Sequence, residues 1–507
     1  MAKALMIQGT GSGAGKSLVA AAMCRIFRDS GIDVAPFKAQ NMALNSYITA
    51  EGGEIGRAQA LQAEAAGIEP SVDMNPILLK ASGDMGSQVI IHGKVHAAMK
   101  AQEYYAFKKE AWKAVKASFG RLSKKHDLIV IEGAGSPAEI NLMDVDIVNM
   151  AVAKHAKAPV LLIGDIDKGG VFASLYGTVK LLGRQSRHIK AFIINKFRGD
   201  MDILRPGLDM IQDRTGKPVI GVLPYISAIG LPEEDGLSLQ RISKCLQPSA
   251  LSLQPSIKIV IVKLQYISNF TDFDPFLYEP DVELIYSTNP ADIENADLVV
   301  IPGSKNTVKD LMFIKEQGLD KSIKLAYSKG VRIIGMCGGY QMLGKKIYDP
   351  HSVESNHKEV DGIGLLNIET LFEKTKVTSQ TIAEIHNPDF LPFSLQPSAF
   401  RLKGYEIHMG VSEGDIGLFR IKRLPDKELH LLDGSKNGNC WGTYLHGIFE
   451  SDLFRRAVIN DIRVQKGLPS ADFTYSYHDM KEKAIDNLSD IIRENIDMNF
   501  IKGIAGL

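Results

Sequence analysis

A short apolar run, Ala4-Leu5-Met6-Ile7-Gln8, passes directly into Gly9-Thr10-Gly11-Ser12-Gly13-Ala14-Gly15-Lys16-Ser17 and then into a helix-forming stretch from Leu18 to Arg28. Strand, glycine loop and helix in this order constrain the chain more than any other feature. The arrangement requires a parallel α/β sheet with an anion site at the strand's carboxyl end. Gly11, Gly13 and Gly15 let backbone N–H groups converge on phosphate oxygens. Lys16 supplies a point charge for the β and γ phosphates, and the Ser17 hydroxyl is a ligand for Mg²⁺. Five residues rather than four separate Gly9 from Gly15, and Thr10 stands at the first-glycine position of the strict phosphate-loop pattern. Lys16 and Ser17 disfavour a dinucleotide fold, whose glycine fingerprint asks for neither.

Further short apolar runs, Val34 to Phe37, Leu128 to Ile131, Val160 to Ile163, Ala191 to Ile194 and Val219 to Val222, are separated by helix-length segments. This is the pattern of a doubly wound sheet, in which active groups gather beyond the carboxyl ends of the strands. The residues there include Asn41, Glu132, Asp165 and Asn195. Glu132 and Asp165 are candidate Mg²⁺ partners opposite the phosphate loop. Asn195 is assigned to the ATP site, and Asn41, Asp146 and Asp165 to the substrate pocket. The competing reading makes such groups solvated loop charges, helix caps or side chains that satisfy nearby backbone N–H groups.

A second site is written further along. Val331-Arg332-Ile333-Ile334 is followed by Gly335-Met336-Cys337-Gly338-Gly339, a glycine-flanked cysteine at a strand-to-helix turn. Such an elbow presents the thiol at a helix N-terminus, where the dipole favours thiolate. His446, after the β-prone run Trp441-Gly442-Thr443-Tyr444-Leu445, is the candidate base. Leu298 to Ile301 reads as a buried strand, and Pro302-Gly303-Ser304-Lys305-Asn306-Thr307 as a loop whose N–H groups face an oxyanion. Nucleophile, base and oxyanion loop together make an acyl-transfer site.

The length of 507 residues is too great for one core. Lys+Arg and Asp+Glu are equal at 59, which leaves no global field to attract nucleic acid or an anionic membrane. Four dispersed cysteines without a CxxC pair argue against structural zinc or a disulfide framework, and point to a reducing compartment. The N-terminus shows no leader pattern and no apolar run reaches membrane-spanning length, so the expected location is cytoplasmic. The expected domains are 1–245, a phosphate-loop ATPase unit, and 257–453, a second doubly wound unit, joined by a linker at 246–256. A helical extension at 454–507 follows. Residues 366–400 are expected to leave the second sheet as a pair of exposed strands. The stripe Ile485, Leu488, Ile492 and Ile496 is expected to pack on the second domain or on a sister subunit, which leaves a homo-oligomer open.

The segment from about Ile257 to Ser451 resembles the class I glutamine amidotransferase domains of the cobalamin pathway, and the first half resembles the dethiobiotin-synthetase-like ATPases, whose phosphate loop has the same five-residue gap. The ordered strings Lys38-Ala39-Gln40-Asn41-Met42, Gly56-Arg57-Ala58-Gln59-Ala60, Asp146-Ile147-Val148-Asn149-Met150, Gly164-Asp165-Ile166-Asp167-Lys168-Gly169-Gly170 and Gly404-Tyr405-Glu406-Ile407-His408 extend the resemblance, now to the cobyric acid synthase family, over nearly the whole chain. The resemblance implies Cys337 as nucleophile, His446 as base, and Gly303 and Gly338 as oxyanion donors. It also implies ATP, Mg²⁺ and L-glutamine as the ammonia donor, and a corrinoid substrate, adenosylcobyrinic acid a,c-diamide. Typical amidotransferases place a glutamate two residues after the histidine; here that position is Ile448, and Glu450 lies two further on. The group that orients His446 is therefore unassigned. Two alternatives stand beside this reading, the related a,c-diamide synthase and a ParA-type nucleotide switch without glutaminase activity.

Overall fold

A computed structural model of the chain describes residues 2–81, 86–226, 230–232, 256–387, 390, 401–424, 430–471 and 475–507. The first half is built on six parallel strands: β1 (Lys3–Gly9), β2 (Val34–Phe37), β3 (Leu128–Glu132), β4 (Val160–Asp165), β5 (Ile189–Phe197) and β6 (Val219–Pro224). Their spatial order is β6-β5-β4-β1-β3-β2, with all pairings parallel. The central strands are apolar on both faces because helices cover both sides, as a parallel sheet requires. Strand β1 sits in the middle, so the loop that follows it opens at the centre of the sheet's carboxyl edge.

Between β2 and β3 the chain leaves this sheet for an insertion that the apolar runs did not announce. Strands Gln40–Met42, Ile77–Ala81, Ser87–Ile91 and Lys94–Met99 form a small mixed sheet, and Ser46–Ile48 pairs antiparallel with Glu54–Gly56. A helix, Arg57–Ala66, starts immediately after that hairpin. These strands are too short to be told from loops by periodicity.

The second half repeats the architecture. Strands β7 (Ile257–Val262), β8 (Val282–Ser287), β9 (Leu298–Ile301), β10 (Arg332–Met336) and β11 (Cys440–Thr443) run parallel in the order β8-β7-β9-β10-β11, with Ser435–Asn437 antiparallel at the edge. The expected departure from this sheet is present in a different form. Ile368–Ile385 is one long strand paired with Arg401–Gly414, which lies beyond the expected span, in a separate sheet. Of the expected linker, only Ser256 falls within the described residues.

The C-terminal expectation needs correction. Helix Asp452–Gln465 does pack on the second core, through Phe454, Val458, Ile459 and Ile462. The Ile485, Leu488, Ile492 and Ile496 stripe packs instead on the first half, against Leu5, Val19, Phe27 and Ile220. Helix Lys16–Asp29 has an apolar outer face that needs cover, and the chain returns to provide it. Arg25 on that helix pairs with Glu482 at 2.7 Å and Asp486 at 3.3 Å, and Ile496 bridges to Gly221 on β6. An apolar stripe records that a face is buried but not by what. Replacing the fully buried Ile492 by alanine is expected to cost about 2–5 kcal/mol of stability, read as a lowered denaturation midpoint.

Candidate active site

Two constellations form at the carboxyl edges of the two sheets. In the first, Gly15 at the start of helix Lys16–Asp29 adopts φ 98°, and a side chain there would overlap the amide of Asn195. Only glycine closes this loop. Asn195 Nδ2 donates to the Ala14 carbonyl at 2.8 Å, and Lys16 Nζ donates to the Gly11 carbonyl at 2.8 Å. Lys196 Nζ bridges the Gly13 carbonyl at 2.7 Å and the Asp165 carboxylate at 2.8 Å. Asn195 and Asp165 thus brace the phosphate loop from the ends of β5 and β4.

Glu132, at the end of β3, is the hub of this site. It accepts hydrogen bonds from Ser17 Oγ at 2.8 Å, Lys38 Nζ at 2.8 Å, Gln62 Nε2 at 2.6 Å and Gln59 Nε2 at 3.3 Å. Burial penalises the carboxylate, but Lys38 and these donors outweigh it and hold its pKa below the ordinary value. Of the three candidate Mg²⁺ residues, Ser17 and Glu132 are brought together, whereas the Asp165 carboxylate is engaged by Lys196 and the Asp167 N–H. Among the described residues no group of three or more His, Cys, Asp or Glu could hold a metal. The other candidate pocket residues are engaged within the protein. Asn41 Nδ2 donates to Gln59 Oε1 at 3.0 Å, and Asp146 accepts from the N–H groups of Val148, Asn149 and Ala151 at 2.8–2.9 Å, which makes it a turn cap.

In the second constellation, Cys337 follows β10 at φ 51°, ψ −107° and precedes the short helix Gly338–Leu343. This is the strained elbow expected from the glycine pattern. Gly339 lies so close to the Ile301 carbonyl that any side chain would collide with it, and the backbone of Gly338 packs against the Ser304 N–H. The Gly303–Ser304 loop is thereby set beside the thiol. His446 lies three residues beyond the end of β11 rather than at it.

The orienting group missing from the sequence reading is Asp272. Its Oδ2 accepts from His446 Nδ1 at 2.6 Å, while its Oδ1 accepts from the Gly447 N–H at 3.1 Å. It belongs to the 3-10 helix Phe270–Tyr278 and is buried. The His446 ring also stacks on Tyr405, with centroids 5.1 Å apart and planes 16° from parallel. His446 Nε2 is buried without a hydrogen-bond partner among the described residues, and it shares a cavity with Cys337. Burial alone would favour neutral imidazole. The Asp272 carboxylate, and after it the Cys337 sulfur, reverse that and raise the pKa from 6.5 to about 10. For His446, imidazolium is therefore the state this geometry favours.

The cavity around Cys337 is lined from both halves of the chain: Lys80 and Gln88 come from the insertion, and Lys305, Glu354 and Lys376 from the second half. Lys80 and Lys376 share Glu54, at 2.9 and 2.5 Å. Burial lowers Lys80 to about 8 despite Glu54, whereas Glu54, with two cations, stays well below the usual carboxylate range. Glu354 is pushed up to about 7 by burial, and Lys305 is shifted down by the same cause.

The two sites match two known domain families. Residues 5–239 match the CobQ/CobB/MinD/ParA nucleotide binding domain, and residues 258–454 the CobB/CobQ-like glutamine amidotransferase domain. A cobyric acid synthase of Thermodesulfovibrio yellowstonii is 51% identical over 507 residues, covering 100% of both chains. This chain belongs to the cobyric acid synthase family. Cobyric acid synthases of Caldanaerobacter subterraneus subsp. tengcongensis and Clostridium botulinum are 49% and 48% identical over 513 residues, covering 99% and 100% of this chain and 98% and 100% of theirs. The family makes it an ATP-dependent glutamine amidotransferase of cobalamin synthesis, which sets the nucleotide-switch alternative aside. No helix among the described residues is long and apolar enough to cross a membrane.

The His446 shift gives a signed pH prediction. Its folded-state pKa lies above 6.5, so its stabilising contribution is complete below that pH and is lost as pH rises through about 10. Glutamate release should hold on the alkaline side until the imidazolium titrates near pH 10. Asp272→Asn should move that limb to lower pH and cut kcat by roughly 10²–10⁴-fold, by analogy with carboxylates that orient a catalytic histidine; a pH–rate profile of both proteins measures it.

Proposed function

We propose that the protein amidates the b, d, e and g side-chain carboxylates of adenosylcobyrinic acid a,c-diamide to give adenosylcobyric acid. The observation that carries the reading is the position of Cys337: its cavity is walled by Lys80 and Gln88 of the nucleotide-binding half, so ammonia freed there emerges at the seam between the two sites. The names of the relatives support the corrinoid as substrate.

At the glutaminase site the Cys337 thiolate attacks the side-chain amide of glutamine, and the oxyanion is held by the N–H groups of Gly303 and Gly338. The imidazolium of His446 protonates the departing nitrogen, ammonia leaves, and water then hydrolyses the thioester to glutamate with His446 as base. At the nucleotide site a substrate carboxylate attacks the γ-phosphate of ATP; ADP leaves and an acyl phosphate forms. Ammonia displaces phosphate from that carbonyl to give the amide. The phosphate-loop N–H groups and Lys16 hold the transferred group. Ser17 and Glu132 are the residues that would hold Mg²⁺. Two adjacent protein oxygens suit an ion that keeps most of its shell for phosphates and water, and when bound it neutralises phosphate charge.

Cys337→Ser is expected to abolish amidation with glutamine while amidation with an ammonium salt persists. Mass spectrometry of the corrinoid reads both, as successive conversion of carboxylates to amides. A variant that loses the two activities together would contradict the division of labour. Amidation of cobyrinic acid in place of the diamide would transfer the assignment to the a,c-diamide synthase.

A further inference from the structure

Helix Arg57–Ala66 of the nucleotide-binding half touches both sites. One turn in, Gln59 and Gln62 hold Glu132, which in turn holds Ser17 and Lys38. At its first residue, Arg57 reaches across the seam to Glu450 at 2.9 Å, four positions beyond His446. The guanidinium also lies 5.7 Å from the centroid of the Tyr47 ring; Tyr47 packs on Tyr405 with centroids 6.3 Å apart, and Tyr405 stacks on His446. Two routes therefore join Arg57 to the base, one through the Glu450 turn and one through the two tyrosines.

The hairpin just before the helix tightens the same connection. The Arg57 N–H donates to the Asn45 carbonyl at 3.2 Å, and the Asn45 side chain accepts from the Phe270 N–H at 3.1 Å, at the start of the 3-10 helix that carries Asp272. The Ser46 N–H donates to Asn269 at 3.1 Å, and the Tyr405 hydroxyl donates to the Ser46 carbonyl at 3.3 Å. Asp272, the ring that supports His446, and the turn that follows His446 are thus all braced by residues 45–57 of the other half.

We propose that Arg57 is a positioning residue for His446, and that helix Arg57–Ala66 ties the geometry of the glutaminase base to occupation of the phosphate site at Ser17 and Glu132. Arg57 touches no reacting atom; it acts through Glu450 and Tyr405. A ligand that engages Ser17 and Glu132 exerts force on Gln59 and Gln62, and the helix passes that displacement to its own first residue. The inference rests on the glutaminase reading of Cys337 and His446.

The test compares wild type, Arg57→Ala, Arg57→Lys, Tyr405→Phe and the charge-exchanged pair Arg57→Glu with Glu450→Arg. Glutamate release from glutamine is measured with and without Mg²⁺-ATP, and ATP turnover is measured with ammonium salt in place of glutamine. Arg57→Ala should lower glutaminase kcat about tenfold with the KM for glutamine little changed, and should abolish the response of that rate to Mg²⁺-ATP. Ammonium-supported ATP turnover should persist. Arg57→Lys and Tyr405→Phe, milder changes that keep the charge or the stack, should give smaller losses in the same direction, and the charge exchange should restore part of the kcat. An unchanged kcat and an unchanged Mg²⁺-ATP response in Arg57→Ala would overturn the proposal. If that variant does not fold, normal values in both Arg57→Lys and Tyr405→Phe would overturn it equally. A wild-type protein that releases no glutamate would instead remove the glutaminase reading on which the inference stands.

Discussion

A carboxylate withdrawn from water must be met by opposite charge, and Glu54 meets this requirement with one lysine from each half of the chain. Lys80 reaches it from the insertion and Lys376 from the long strand Ile368–Ile385. Each lysine binds the same carboxylate from its own half, so the shared Glu54 ties the two halves together. The cavity of Cys337 is lined from both halves in this arrangement, with Lys80 forming one of its walls and Lys376 another. Closure of the glutaminase site is thereby a property of the assembled chain.

The two chemistries share a structural logic. Each uses the carboxyl edge of a parallel sheet, where strand ends, helix N-termini and loop N–H groups converge without unsatisfied backbone. The nucleotide site uses that edge to collect cations and donors around one buried acid, Glu132. The glutaminase site uses it to strain one residue, Cys337, and to place a histidine whose charge is secured by Asp272. The C-terminal helix Tyr477–Asn495 completes the assembly by returning from the second half to cover the first.

Much of this was legible in the sequence because it depends on local pattern. The phosphate loop, the elbow and the buried parallel strands are each specified within about ten residues, and the observed strands coincide with the apolar runs to within a few positions at their ends. Asp272 was not legible, because it stands 174 positions from His446 and sits among Phe270, Phe273 and Phe276 with no glycine or motif to mark it. The one available signal was an acid inside an aromatic, proline-containing segment, where an unpaired carboxylate would be costly. The insertion carrying Glu54 and Arg57 was hidden for a related reason. Its strands are only three to six residues long, and its charged groups are buried by partners from distant segments, which no short-range pattern reveals.

The central claim is that ammonia made at Cys337 is consumed within the same molecule. Its most direct measurement supplies glutamine labelled with ¹⁵N in the side-chain amide together with excess unlabelled ammonium, and follows isotope in the corrinoid amides by mass spectrometry. Transfer across the closed seam predicts product amides that retain nearly all of the ¹⁵N of glutamine. Amides diluted to the isotope ratio of the bulk ammonium would mean that ammonia escapes before use, and would contradict the account.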